Sequence, residues 1–213
     1  DTWILMLDAS KDKGYASNMP SISYDTLEWI EEWLIKAKEK QIRVMSVTHQ
    51  NLLPHNQLFS PRCTIENGAR LVKLYQEYGV TFNISGHMHI QHISHDKESN
   101  LYDVATNSVA VYPNHLGVIE LTERIDGQGD FGYHSITIPM EAYAARHGIE
   151  DKNLLEFKQY SRELFNNILI LRYGIPYLSV NSPEKKKKEW HILLLLEIWT
   201  ISRERWMHQR KIG

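Results

Sequence analysis

Apolar and polar positions follow two rhythms along this chain. "WILMLD" (residues 3–8) is a short apolar run closed by Asp8, with the length and composition of a buried strand. Between residues 24 and 41, Leu27, Ile30, Leu34 and Ala37 recur at three- and four-residue steps, which makes one apolar helix face. Ser23 is placed to cap that helix. Asp25 falls in its first turn, and Lys36, Lys38 and Lys40 fall near its end, where each charge suits the helix dipole. "IRVMSVTHQ" (42–50) returns to strand character. A second helix is expected over 65–78, stopped at Gly79, and "VTFNIS" (80–85) is a third strand. This alternation predicts α/β packing.

From residue 90 to about 138 the pattern changes. "IQHIS", "LYDVAT", "SVAVYP", "LGVIELT" and "YHSITI" are short and rich in β-branched and aromatic residues, and they predict an antiparallel meander. "DGQGDFG" (126–132) has the composition of a hairpin turn. Beyond Pro139, helical spacing appears over 153–175 and again over 184–210. The expected organisation is an α/β domain over 1–139 followed by a helical appendage over 140–213. "ILLLLEIW" is far short of a bilayer span and contains Glu197, so no transmembrane segment is expected. The lysines at 185–188 are expected to be the solvated start of a helix.

Composition narrows the function classes. At 213 residues with 42% apolar and 23% charged side chains, the chain has globular proportions and room for a sizeable core. A net charge of -2 provides no basic footprint, so no nucleic-acid polymer is expected as a partner. One cysteine, Cys63, rules out an intrachain disulfide and a cysteine-based zinc cluster, and fits a reducing, cytoplasmic setting. Chain termini usually lie at the surface, yet "DTWILMLDAS" begins in a buried-type strand. The expectation is a fragment, with more protein upstream and any targeting signal there.

Eleven histidines change the picture further. "NISGHMHIQHI" (83–93) places His87, His89 and His92 within six residues. His49 closes the second strand, and His87 and His89 follow the third. In open α/β sheets ligands collect beyond the carboxyl ends of the strands, and strands adjacent in sequence often neighbour in space. His49, His87 and His89 are therefore expected on one rim as metal ligands, with Gly86 allowing the backbone its turn. Neutral imidazole suits Zn, Mn, Fe, Co or Ni. His55, His92, His95, His115 and His134 lack that placement and are expected to be ordinary core or surface residues. A mononuclear site would need a carboxylate base, for which Asp8 and Asp103 are the candidates.

These segments carry a family resemblance. "VMSVTHQNL" followed by "VTFNISGHMHIQHI" resembles the last two motifs of the calcineurin-like metallophosphoesterases, a strand ending in a metal-binding His and then Gly-His-x-His. "WILMLDAS", "SYDTLEWIEEWLIKAKEK" and "TNSVAVYPNHLGVIELT" are similar to the flanking strands and helix of that family's bacterial phosphohydrolases, so the resemblance spans about residues 1–138. It implies part of a two-sheet sandwich flanked by helices. It also implies a centre of two divalent metal ions (Mn, Fe, Zn, Co or Ni), with His49 and His87 on one ion and His89 on the other, acting on a phosphate-ester substrate such as a cyclic nucleotide. The family's earlier motifs, Asp-x-His, Gly-Asp-x-x-Asp and Gly-Asn-His-Asp/Glu, have no counterpart in this chain. The chain is therefore expected to be inactive alone, and an unpaired sheet edge would favour self-association. The competing expectation is a non-enzymatic domain that acts through its helical tail.

Overall fold

The computed structural model describes residues 1–10, 19–56, 63–123 and 129–169. The helix expected over 184–210 and its lysine run lie outside the described residues, as does the first part of the hairpin turn expected over 126–132. The chain divides into two compact units: Asp1–Asn107 with Ile119–Gly132, and Ser108–Val118 with the residues from Tyr133 onward.

The first unit is built on a five-stranded sheet. Strand β1 (Thr2–Leu7) pairs in parallel with β2 (Arg43–Thr48), β2 with β3 (Phe82–Ser85), and β3 with β5 (Leu101–Ala105). Strand β4 (His92–Asp96) closes the far edge, antiparallel to β5, giving the order β1-β2-β3-β5-β4. The α/β class read from the sequence is the one observed. The single meander expected after residue 90 is not. β5 returns in parallel to β3, while β6 (His115–Glu123) and β7 (Gly129–Thr137) form a separate two-stranded sheet. Of the segments assigned there, "SVAVYP" is not a strand; it is a turn region containing a cis Tyr112–Pro113 bond.

Helix α1 (Tyr24–Glu39) starts where the sequence places it, with Ser23 Oγ accepting from the Thr26 amide at 3.1 Å. Its buried Ile30, Leu34 and Ala37 form the predicted stripe. Helix α2 (Gly68–Tyr78) begins three residues later than expected, because Asn51 and Thr64 form a β-bridge and Ile65 is committed to a bond with the Asn51 carbonyl. Gly79 ends it at φ 73°, a left-handed conformation that a glycine adopts without a Cβ clash. Leu5, Leu7, Ile30, Leu34, Val44, Leu71, Tyr75 and Leu101 join in one buried cluster that fastens both helices to the sheet. On β1 the alternate residues Ile4 and Met6 are 57% and 76% exposed, so only one face of this edge strand is covered.

In the second unit the helical character expected after Pro139 is present as α3 (Met140–Arg146), α4 (Lys152–Leu155) and α5 (Phe157–Leu169). The helix expected to run unbroken from 153 is interrupted at Glu156. Asp151 caps α4 through the Asn153 amide at 2.8 Å, and a Glu141 carboxylate oxygen accepts from the Lys158 amide at 2.7 Å.

Candidate metal site

The parallel strands β2 and β3 end side by side, so the residues after them share one rim of the sheet. His49 follows β2, and His87 comes two residues after β3 ends at Ser85. The Gly86 amide donates to the His49 carbonyl at 2.9 Å and ties the two strand ends together. His87 Nδ1 then lies 3.4 Å from His49 Nε2, with the rings edge to face and their centroids 5.3 Å apart. Both residues are exposed, as is His89. The backbone turn that brings them there is not made at Gly86, contrary to the sequence expectation. His87 and His89 themselves adopt φ of 59° and 54°. Left-handed φ is uncommon outside glycine and costs an L-residue about 1–2 kcal/mol, so the segment holds its histidines at some cost to the backbone.

The His49–His87 spacing is informative because the same unit contains a second imidazole pair. His55 Nδ1 and His92 Nδ1 are 2.9 Å apart, an ordinary hydrogen-bond length. The 3.4 Å of the rim pair is long for such a bond. Two nitrogens each about 2.0–2.1 Å from one tetrahedral ion stand about 3.3–3.4 Å apart. Partial desolvation of the ring, and then the neighbouring His49 and His89, hold His87 below the ordinary imidazole pKa, which keeps its ring neutral with a lone pair available near pH 7. Two residues past His49, the buried Asn51 Oδ1 has no hydrogen-bond partner among the described residues. The rim residues therefore fit a bound divalent ion through two imidazoles. Among the described residues no three His, Cys, Asp or Glu side chains converge on one point, so His89 does not join the pair and no carboxylate completes it.

The two carboxylates considered from the sequence have other employment. Asp8 follows Leu7, which pairs with Thr48, so Asp8 stands level with His49 at the end of β1. It accepts from the Ser10 amide at 2.8 Å and from the Ser10 hydroxyl, and these bonds lower its pKa. Asp103 is completely buried on β5. Its Oδ2 accepts the Leu52 and Leu53 amides at 2.6 and 2.8 Å, and its Oδ1 accepts Asn83 Nδ2 and Ser85 Oγ, both at 2.8 Å. It is surrounded by donors beneath the rim and is not a base facing a substrate.

The sequence gives His55 and His92 no role beyond ordinary core or surface packing. The structure joins them to this carboxylate: His55 Nε2 lies 3.2 Å from Asp103 Oδ2, close but poorly aligned for a hydrogen bond. Burial, with His55 beside it, pushes the His92 pKa down to about 4. His95 is stacked on Tyr102 with ring centroids 4.0 Å apart. The sequence signal for the buried network is polar residues at alternate positions of otherwise apolar strands. Ser46 and Thr48, Asn83 and Ser85, and Asp103 all fall on the face that carries Leu5 and Leu7 once the register is known.

No family model matches the chain, and no curated protein matches it. Among solved structures it is similar to a dimetal phosphatase from Danio rerio, with a TM-score of 0.43 and 18% identity over 55% of this chain and 36% of that one. GAP50, described as the anchor in the inner membrane complex of Plasmodium, gives a TM-score of 0.40 and 15% identity over 64% of this chain and 42% of that one. A Vps29 single mutant from Entamoeba histolytica gives a TM-score of 0.19 and 10% identity over 63% of this chain and 99% of that one. The chain thus spans less than half the length of the first two proteins.

Proposed function

We propose that this chain carries the imidazole portion of a metal-dependent phosphohydrolase centre, in which His49 and His87 hold one divalent ion and His89 serves a second. The observation that supports this reading is the 3.4 Å separation of two ring nitrogens at the carboxyl ends of adjacent parallel strands. Divalent ions bound there would supply positive charge to a phosphate ester and an acidified water. The chain's own part is to present neutral rings at a fixed spacing. The Gly86–His49 backbone bond ties the two strand ends together, and partial desolvation of the His87 ring favours its neutral form. Among the described residues no carboxylate joins the imidazoles to complete a two-metal centre, so the chain alone is expected to hydrolyse phosphomonoesters and phosphodiesters negligibly.

The test is zinc and manganese content after dialysis, together with hydrolysis of bis(p-nitrophenyl) phosphate, for the wild type, His49→Ala and His87→Ala. Bound metal in the wild type and its loss in both variants, with negligible hydrolysis throughout, is the expected result. Equal metal content in all three proteins would refute the assignment.

A further inference from the structure

The rim histidines stand on two separate strand ends, so something beneath must fix the distance between them. The loop after His49 has its Leu52 and Leu53 amides pinned to Asp103 Oδ2 at 2.6 and 2.8 Å. The strand before His87 has Asn83 and Ser85 pinned to Asp103 Oδ1, both at 2.8 Å. Ser85 Oγ also accepts from Asn51 Nδ2 at 2.7 Å, so the two segments are crosslinked a second time. Asn83 Nδ2 donates to Thr48 Oγ1 at 3.1 Å, immediately before His49. Four donors from the two segments thus converge on one carboxylate that water does not reach.

We propose that Asp103 is a positioning residue for the rim site: one buried carboxylate that clamps the loop bearing His49 to the strand end bearing His87 and so sets the spacing of the two imidazoles. The inference rests on the metal reading for its purpose, but the clamp itself is made of protein groups alone. A carboxylate suits this task because only an acceptor-only group can receive two amides on one oxygen and an amide and a hydroxyl on the other. Asparagine has the same shape, yet it turns one of those sides into a donor facing donors. A buried carboxylate with no donors to receive would be costly, so the clamp and its four partners are interdependent. His55 lies beside the arrangement, its Nε2 3.2 Å from the same Oδ2 without hydrogen-bond alignment and its Nδ1 2.9 Å from His92 Nδ1 on β4.

The experiment compares the wild type with Asp103→Asn, Ser85→Ala, His87→Ala and the control Leu34→Ala, a core residue of α1 outside the hydrogen-bonded clamp. Two quantities are read: the nuclear Overhauser contact between the His49 and His87 rings in metal-free protein, and zinc affinity by calorimetry. Expected is a lost ring contact in Asp103→Asn, a weakened one in Ser85→Ala, and an unchanged one in Leu34→Ala despite its lower Tm. Zinc affinity should fall about 10–100-fold in Asp103→Asn, as for other groups that orient metal ligands, and remain unchanged in Leu34→Ala. A folded Asp103→Asn that keeps the ring contact would overturn the proposal. If Asp103→Asn does not fold, Ser85→Ala decides: a weakened contact supports the clamp and an unchanged one overturns it. Zinc affinity that is the same in His87→Ala and the wild type would sink the metal reading alone, while the ring contact still judges the clamp.

Discussion

Acid is expected to destabilise this protein through His92. Its pKa is about 4 in the folded chain against an ordinary value of 6.5, chiefly because burial disfavours the charged ring and secondarily because His55 lies against it; Asp103 opposes both. In the unfolded chain His92 binds its proton as pH falls through 6.5, whereas in the folded chain it does so only near 4. Between those values the unfolded state holds more protons, so stability falls with falling pH across that window and levels off below it. The gap between 6.5 and about 4, at about 1.4 kcal/mol per pH unit, amounts to about 3 kcal/mol, and solvent at the ring's outer edge trims this to about 2–3 kcal/mol. Urea unfolding followed by tryptophan fluorescence at pH 7, 6, 5 and 4 measures the slope. His92→Gln keeps a hydrogen-bonding group against His55 Nδ1 without titrating, so it should lose less stability than the wild type over the window by about that amount. Parallel pH dependences for the two proteins between pH 6.5 and 4 would refute the reasoning.

Two more outcomes follow from the backbone. His87→Asn and His89→Asn replace left-handed residues at φ 59° and 54° with one that tolerates that region better, so each should keep or raise stability by up to about 1 kcal/mol in urea melts. His87→Asn should nevertheless lose zinc in calorimetry, which separates the backbone cost of the turn from its chemistry. Gly79→Ala meets no atom of the described residues within 4 Å but forces a Cβ into φ 73°, so it should destabilise by about 1 kcal/mol, and Gly79→Asn by less. Equal Tm values for Gly79→Ala and the wild type would contradict the left-handed helix stop.

Legibility in the sequence follows the range of the interactions. α1 is readable from end to end because its cap, its first-turn Asp25 and its stripe of Ile30, Leu34 and Ala37 are encoded within one or two turns of each other. β1, β2 and β3 are readable as apolar runs for the same local reason. The place of β5 is not, since nothing in "LYDVAT" states whether it pairs with the preceding hairpin strand alone or also enters beside β3; that depends on partners about 20 residues away. The rim histidines are readable because strand ends are local features, and two parallel neighbours put their ends together automatically. Asp103 is visible only as a candidate carboxylate base, not as a spacer. Its role comes from Leu52, Leu53, Asn83 and Ser85, which lie 18–51 residues away and meet only when the register is set. A sequence therefore announces the groups that would touch a metal more readily than the group that spaces them. The spacer's identity is a property of the assembled sheet: the polar residues of β2, β3 and β5 mean little strand by strand, and together they form the floor on which the histidines stand.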